Sequence, residues 1–306
     1  MRILVSGASG LVGSALVPAL AAAGHAVGRF VRLGPRRPPG TAGPADVEWD
    51  LATGHIDTAR IEGADAVVHL AGANIAGERW TDHFRERIRH SRIDGTRILA
   101  GALAGLERRP RVLVQASAVG FYGDRGDEIL TESSRHGDGF LPAVCVAWEA
   151  AAAPAAERGV RVVFLRFGVI LSARGGALPK MLPAFRMGLA GVIGGGRQWM
   201  PWLALDDAVG IVGHAIDNAS LAGPVNAVAP EPVTNRVFTK TLGRAVRRPA
   251  FLPLPAFAAR MALGEMADAL LLASVRATPG RLLESGYAWR HPDLDGALGA
   301  ALADRG

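Results

Sequence analysis

Cysteine occurs once in the 306 residues, at Cys145. No disulfide can close within the chain, and a reducing compartment, the cytoplasm, is expected. Lysine occurs only at Lys180 and Lys240, and tyrosine only at Tyr122 and Tyr287. Positive charge is therefore almost wholly arginine. Lysine plus arginine number 34 against 28 acids, a net charge of +6. The basic groups are scattered apart from Arg32, Arg36 and Arg37, which argues against a nucleic-acid partner. Apart from the N-terminal run Ile3–Gly24, no stretch approaches the ~20 uncharged apolar residues of a membrane span. Residues 254–274 come nearest, but Arg260, Glu265 and Asp268 interrupt them, so no membrane partner is expected. The histidines show no metal-ligand spacing and no His-Cys or carboxylate cluster suggests a metal. No internal repeat is present. Half the residues are apolar and a fifth charged. That excludes a disordered tail or a coiled coil and leaves a globular chain with a sizeable core, as one large domain or two moderate ones.

Charge is also absent from Ile3 to Gly24, which resembles a secretory leader. The regular spacing of Gly7, Gly10 and Gly13, and Pro18 inside the apolar run, fit a strand followed by a helix better. Strands are expected at Arg2–Ser6, Ala26–Val31, Ala66–Leu70, Arg111–Ala116 and Val160–Arg166. Helical patterns separate them at 11–23, 83–103 and 144–157. This alternation predicts an α/β fold, a doubly wound parallel Rossmann sheet. The second half is glycine- and proline-rich over 175–196. It then gives one more strand near 223–228 and helical stretches at 234–246, 255–273 and 293–303. It reads as a smaller, mostly helical C-terminal substrate lobe. The expected division is 1–170 for the sheet domain, with 205–230 returning to it, and 171–306 for the lobe. The Pro-, Gly- and Arg-rich loop 34–44 is expected to be exposed and mobile.

Gly7-Ala8-Ser9-Gly10-Leu11-Val12-Gly13 lies between the first strand and the first helix. A dinucleotide site needs small residues there. One glycine makes the tight turn, one admits a pyrophosphate to the backbone, and one lets helix and strand pack closely. An NAD site places an acid at the end of the second strand to hold the ribose 2′-hydroxyl. Here no acid occurs between Gly13 and Asp46, and the strand runs into Arg32. A guanidinium suits a 2′-phosphate, so NADP is the expected cofactor. His69-Leu70-Ala71-Gly72 supplies small residues where ribose and pyrophosphate would pass.

With these residues in view, the chain resembles an extended short-chain dehydrogenase/reductase. Further stretches carry the likeness: Ser117 to Asp124, Leu165-Arg166-Phe167-Gly168-Val169, Trp148-Glu149, Lys180 to Arg186, Gly194 to Trp202 with Asp206-Asp207, and Arg281 to Tyr287. They resemble the atypical, epimerase-like members, which carry a small terminal domain. The resemblance implies that Gly7, Ser9, Gly10, Leu11 and Val12 hold the pyrophosphate, Arg32 the 2′-phosphate, and Leu70 and Ala71 the ribose. It places Arg92 against the cofactor and Val169 near the nicotinamide. Lys180, Gln198 and Trp202 fall in the segment expected to cover a small-molecule substrate. Members of the family often pair through helices, which would here involve residues 82–104 and 144–157, so a monomer or a homodimer is expected.

Such enzymes usually carry Tyr-x-x-x-Lys, in which the lysine lowers the tyrosine pKa for proton transfer. This chain has no such pair. Four residues beyond Tyr122 and Tyr287 stand Gly126 and His291, and the positions expected from the spacing to Glu149 hold Leu141 and Cys145. Ser117, with Ala118 as the alternative register, and Tyr122 are the candidate catalytic residues in its place. Cys145 and Glu149 are weaker candidates, read first as core and as solvated helix surface. The expected activity is hydride transfer on a small carbonyl or hydroxyl substrate. The rival reading is an NADP-binding regulatory or scaffold protein with little catalysis.

Overall fold

The computed structural model describes residues 1–33, 40 and 42–304. Arg36 and Arg37, with most of the 34–44 loop, lie outside the described residues. Eight strands form the main sheet. From one edge they run Gly223–Ala227, Arg161–Phe167, Val112–Ala118, Ala66–His69, Arg2–Ser6, Ala26–Arg32, Val47–Asp50 and His55–Ile56. All neighbours are parallel except the last pair. The order of strands reverses beside Arg2–Ser6: the next three strands lie to one side of it and the later ones to the other. That is the switch point at which open α/β sheets bind ligands. The expected doubly wound parallel sheet is present.

Successive residues of a strand face opposite sides. Ile3 and Val5 accordingly join Leu16, Leu20, Ile211 and Val212 beneath helices Leu11–Ala22 and Leu205–Asp217. Leu4 and Val67 join Leu99, Leu103 and Leu113 beneath helix Asp82–Gly105. Thr81 starts that helix, its Oγ1 accepting the Phe84 N–H at 3.2 Å. The long second-face helix expected over 144–157 is broken. Phe140–Ala150 and Ala153–Glu157 are separate, because Pro154 has no N–H to continue the ladder. The pattern at 255–273 is likewise divided, at Gly264, whose φ of 64° ends helix Ala256–Leu263. Strands Val47–Asp50 and His55–Ile56, of four and two residues, were not expected: the first alternates apolar and charged residues, but both are short.

The C-terminal lobe packs around Trp202, Phe238, Leu178 and Leu298. Its helices include Leu178–Arg186, Asn235–Ala245 and Leu294–Ala303, beside a parallel pair formed by Val169–Leu171 and Trp202–Ala204. Buried Asp207 ties the C-terminal segment to helix Leu205–Asp217. Its carboxylate accepts the Arg290 and His291 backbone N–H groups at 2.7 and 3.0 Å. Among the described residues no helix is long and apolar enough to cross a membrane.

Candidate functional site

The carboxyl edge of the sheet holds two neighbouring constructions. The first is made of backbone. Gly7 leaves the first strand with φ +69°, a left-handed conformation that costs glycine little. A Cβ on Gly7 would lie 2.7 Å from the Leu70 carbonyl carbon, and one on Gly13 would lie 2.7 Å from Ala8 Cα and against the Gly7 carbonyl. The turn is thus closed to any side chain. Helix Leu11–Ala22 begins at Gly10 with no side-chain cap and no acid in its first turn. Its free N–H groups and positive dipole end are left for an anion. Ser9, Leu11 and Val12 sit on this turn and first helical residues. The missing Cβ atoms let the turn pack tightly on the Leu70–Ala71 backbone and on the first helix, and the free N–H groups at that helix start are what a pyrophosphate would meet.

Ser6 and His69 fix the cradle from below. Ser6 Oγ accepts the Leu70 N–H at 3.2 Å and meets His69 Nδ1 at 2.6 Å. One proton is shared between Ser6 Oγ and Nδ1, and the buried Nε2 has no hydrogen-bond partner among the described residues. Complete burial pulls the His69 pKa from 6.5 down to about 4. The same bond sets the height of Leu70 and Ala71. Arg32 ends the second strand and is exposed.

Arg92 lies on helix Asp82–Gly105 and faces the gap after Ala66–His69. Its guanidinium donates to the Ala73 carbonyl at 3.0 Å and the Ile88 carbonyl at 3.2 Å, and stacks on Trp148 with its centre 5.1 Å from the ring. A Cβ on Gly72 would meet its central carbon at 3.4 Å. Burial pushes its pKa down, offset in part by the neighbouring Cys145. Its hydrogen bonds all go to neutral carbonyls, so its charge is set for an incoming anion or hydroxyl.

The second construction is made of side chains. Leu141, Cys145 and Glu149 are four residues apart on helix Phe140–Ala150 and share one face. Leu141 lies against Gly120, the Cys145 thiol is 3.9 Å from the Ala118 carbonyl, and Glu149 reaches Ser117. Ser117 Oγ donates to Glu149 Oε1 at 2.6 Å. Arg166 grips the same carboxylate from two nitrogens, each at 2.8 Å. Arg166 also donates to the Tyr122 hydroxyl at 3.0 Å and lies 3.4 Å over the Phe121 ring. Burial alone would lower the Arg166 pKa, but Glu149 holds it above its ordinary value. Burial, with Glu149 beside it, pushes the Cys145 thiol up to about 12. It stays protonated and is a poor nucleophile.

Tyr122 does not face the cleft as expected. It is fully buried, and its hydroxyl proton lies between Asn226 Oδ1 at 2.7 Å and the Thr131 carbonyl at 3.0 Å. Burial raises its pKa. The reason is the neighbour: Arg166 needs a buried acceptor, and Asn226 needs a donor. Asn226 Nδ2 continues to the Thr278 carbonyl at 2.9 Å, and Glu132 Oε1 accepts the Asn226 and Arg281 N–H groups at 3.1 and 3.2 Å. The network binds the sheet to the C-terminal lobe.

Two expected pocket residues are also structural. Trp202 is 1% exposed and donates to the Glu231 carbonyl at 3.2 Å, so it is lobe core. Gln198 is buried and clamps the Ile193 and Leu271 carbonyls at 3.1 and 3.0 Å. Lys180 is exposed and bonds the Ala76 carbonyl, crossing from the lobe to the segment beyond Gly72. Val169 starts its short strand, its N–H bonded to the Pro201 carbonyl at 2.8 Å. The site therefore unites Gly7, Ser9, Gly10, Leu11, Val12, Leu70 and Ala71 at one turn, with Arg92 and Ser117 beside the neighbouring strand ends. Sequence reasoning missed the Ser6–His69 clamp, the Glu149–Arg166 pair, Asn226 and Glu132. His69 and Arg166 stood inside quoted motifs, and Glu149 four residues from Cys145 was the available signal. Asn226 and Glu132 had none.

The chain matches two family models: the NAD dependent epimerase/dehydratase family over residues 3–228 and a domain of unknown function, DUF1731, over residues 254–301. An epimerase family protein of Mycobacterium tuberculosis is 44% identical, the match covering 98% of this chain and 97% of that one. The human epimerase family protein SDR39U1, solved with NADPH, is 35% identical with a TM-score of 0.88, covering 99% of this chain and 100% of that one. A nucleoside-diphosphate sugar epimerase from Corynebacterium glutamicum is 39% identical with a TM-score of 0.78, over 99% of this chain and 57% of that longer one.

Proposed function

The chain belongs to the NAD dependent epimerase/dehydratase family, and from that premise we propose that it binds NADP and acts as an oxidoreductase or epimerase-like enzyme on a small carbonyl or hydroxyl substrate. The reading is carried by one juxtaposition. A turn closed to side chains at Gly7 and Gly13 is followed, at the end of the next strand, by Arg32 in place of an acid. The NADPH bound by the human relative supports the same choice. Leu70 and Ala71 would line the adenine-side ribose, and Val169 the nicotinamide. The lone, protonated Cys145 suits a reducing compartment, and the cytoplasm is our assignment.

Arg92 would serve the nicotinamide half. It lies between Gly72 and Cys145, and Cys145 touches the strand end that carries Ser117. Its cation thus stands beside the position where family members keep the lysine. When bound, the cofactor supplies the hydride acceptor or donor. Ser117 holds the substrate oxygen. Its own proton points to Glu149, so its lone pairs are free to accept one from a substrate hydroxyl. As the C–H bond gives up its hydride, the hydroxyl proton passes to Ser117 Oγ, and the Ser117 proton passes to Glu149. Arg166 orients that carboxylate. Tyr122 acts only through Arg166, as a positioning residue.

Fluorescence titration with NADPH and NADH tests the cofactor assignment. Arg32→Ala should weaken NADPH by roughly tenfold to a hundredfold, the worth of a charge-assisted phosphate contact, and leave NADH unchanged. Equal weakening of both would remove Arg32 from the 2′-phosphate. A specific observation favours the second reading, an NADP-binding regulatory protein: Leu141 and a thiol with a pKa of about 12 occupy the expected pair positions. Tight NADPH binding without turnover across a carbonyl screen would select it.

A further inference from the structure

Positive charge is not scattered as expected but gathers in one further segment. Residues 232–264 contain no Asp or Glu and six cations: Arg236, Lys240, Arg244, Arg247, Arg248 and Arg260. Three of these are engaged, Arg244 with Asp295, Arg260 with Asp268 and Arg236 with the Gly195 carbonyl. Lys240, Arg247 and Arg248 are exposed around a shallow depression of about 530 Å³ that Pro249 and Ala250 complete. Arg247 has φ 55°, left-handed backbone that a non-glycine residue seldom adopts. That turn, held by the Arg247 and Arg248 N–H groups on the Arg244 and Gly243 carbonyls at 2.9 Å, places two guanidinium-bearing residues side by side.

An apolar strip adjoins the depression directly. Met187 is 65% exposed, Leu189 59%, Phe251 69%, Phe257 65% and Met261 75%. The strip is continuous. Segment 252–254 bonds alongside 190–192, with Leu252 N–H to the Ala190 carbonyl at 3.2 Å and Leu254 N–H to the Val192 carbonyl at 2.9 Å. Phe257 and Met261 stand one turn apart on helix Ala256–Leu263 and share its outer face. Among the described residues most of the exposed large apolar side chains gather here. Such a concentration marks an interaction surface.

We propose that this face docks on an anionic lipid bilayer surface. The Phe251, Phe257 and Met261 tips enter the headgroup region, and Lys240, Arg247 and Arg248 meet lipid phosphate. Charge complementarity selects the occupant. A second copy of the chain seated face to face would bring Lys240, Arg247 and Arg248, which line the depression, against the same cations and oppose like charges. A peptide groove would be lined by half-covered side chains, whereas Phe251, Phe257 and Met261 are about two-thirds to three-quarters exposed and project. The absence of a spanning helix does not bear on such peripheral contact. The proposal is independent of the cofactor reading.

Co-sedimentation of the full chain with vesicles tests it, comparing phosphatidylcholine alone with phosphatidylcholine–phosphatidylglycerol mixtures. Binding should require the anionic lipid and weaken as salt is raised. Arg247→Glu with Arg248→Glu should weaken it by at least about tenfold. Phe251→Ser with Phe257→Ser should also weaken it, and NADPH titration of both variants should match the parent, which verifies their folding. No binding to anionic vesicles overturns the proposal, as does binding that neither variant alters. A dimer in solution that the Phe251→Ser, Phe257→Ser variant dissociates would overturn it in favour of a second copy.

Discussion

The glycine turn and the Ser117–Glu149–Arg166–Tyr122 chain lie on the same sheet edge and are built from opposite materials. The turn works by what is missing. Gly7 and Gly13 leave out Cβ atoms that would collide with Leu70 and Ala8, and uncapped N–H groups face the gap. The chain of side chains works by saturation. Ser117, Glu149, Arg166, Tyr122 and Asn226 answer one another's hydrogen bonds with almost nothing left over. A surface that offers unspent donors suits a ligand that comes and goes. A saturated buried network suits a fixed geometry, in which Ser117 is held by Glu149 at the strand end.

The comparison predicts where each region is fragile. The largest effect should come from Arg166→Met, which strands Glu149 and the Tyr122 hydroxyl. Removing one partner of a buried ion pair costs about 3–5 kcal/mol, readable by chemical denaturation. A loss under about 1 kcal/mol would mean that water reaches the network. The turn region has one titrating weakness of its own. His69 is folded with a pKa of about 4 against an ordinary 6.5. Below pH 6.5 the unfolded chain takes up a proton that the folded chain refuses. Stability should therefore be full above pH 6.5, fall by roughly 3 kcal/mol as pH drops to about 4, and level off below. His69→Gln should flatten that slope.

Gly13→Ala should show the reverse of Arg166→Met. Crowding the Gly7 carbonyl costs about 1–3 kcal/mol of stability, while NADPH affinity falls by more than about tenfold. Affinity lost in step with stability alone would argue that the turn is structural. Tyr122→Phe is the smallest change. Losing one hydroxyl between Arg166 and Asn226 should cost about 1–2 kcal/mol and leave the NADPH titration unmoved. A changed NADPH affinity would join the two regions into one site.

The same difference explains what the sequence disclosed. A site that needs absent side chains must place glycines at fixed local spacing, so Gly7, Gly10 and Gly13 were readable, as was the sheet order they belong to. The exclusion of a Tyr-x-x-x-Lys pair needed only two tyrosines and two lysines. The saturated network joins residues 117, 122, 149, 166 and 226, and no local pattern couples such distant positions. Tyr122, Gln198 and Trp202 were placed in the cleft on polarity or motif position alone. Each has a polar atom that a buried partner already satisfies. The edge strands Val47–Asp50 and His55–Ile56 escaped because they are short.

On the proposed reading one turn would hold NADP, with Arg32 at its adenine end and Arg92 at its nicotinamide end. Two ligands separate the ends: NADPH, and adenosine 2′,5′-bisphosphate, which keeps the 2′-phosphate and lacks the nicotinamide half. Their affinities should be measured on the parent, Arg32→Ala and Arg92→Gln. Arg32→Ala should weaken both ligands alike, and Arg92→Gln should weaken NADPH by about tenfold while sparing the bisphosphate. Arg92→Gln weakening both ligands equally, or Arg32→Ala weakening neither, would contradict the account.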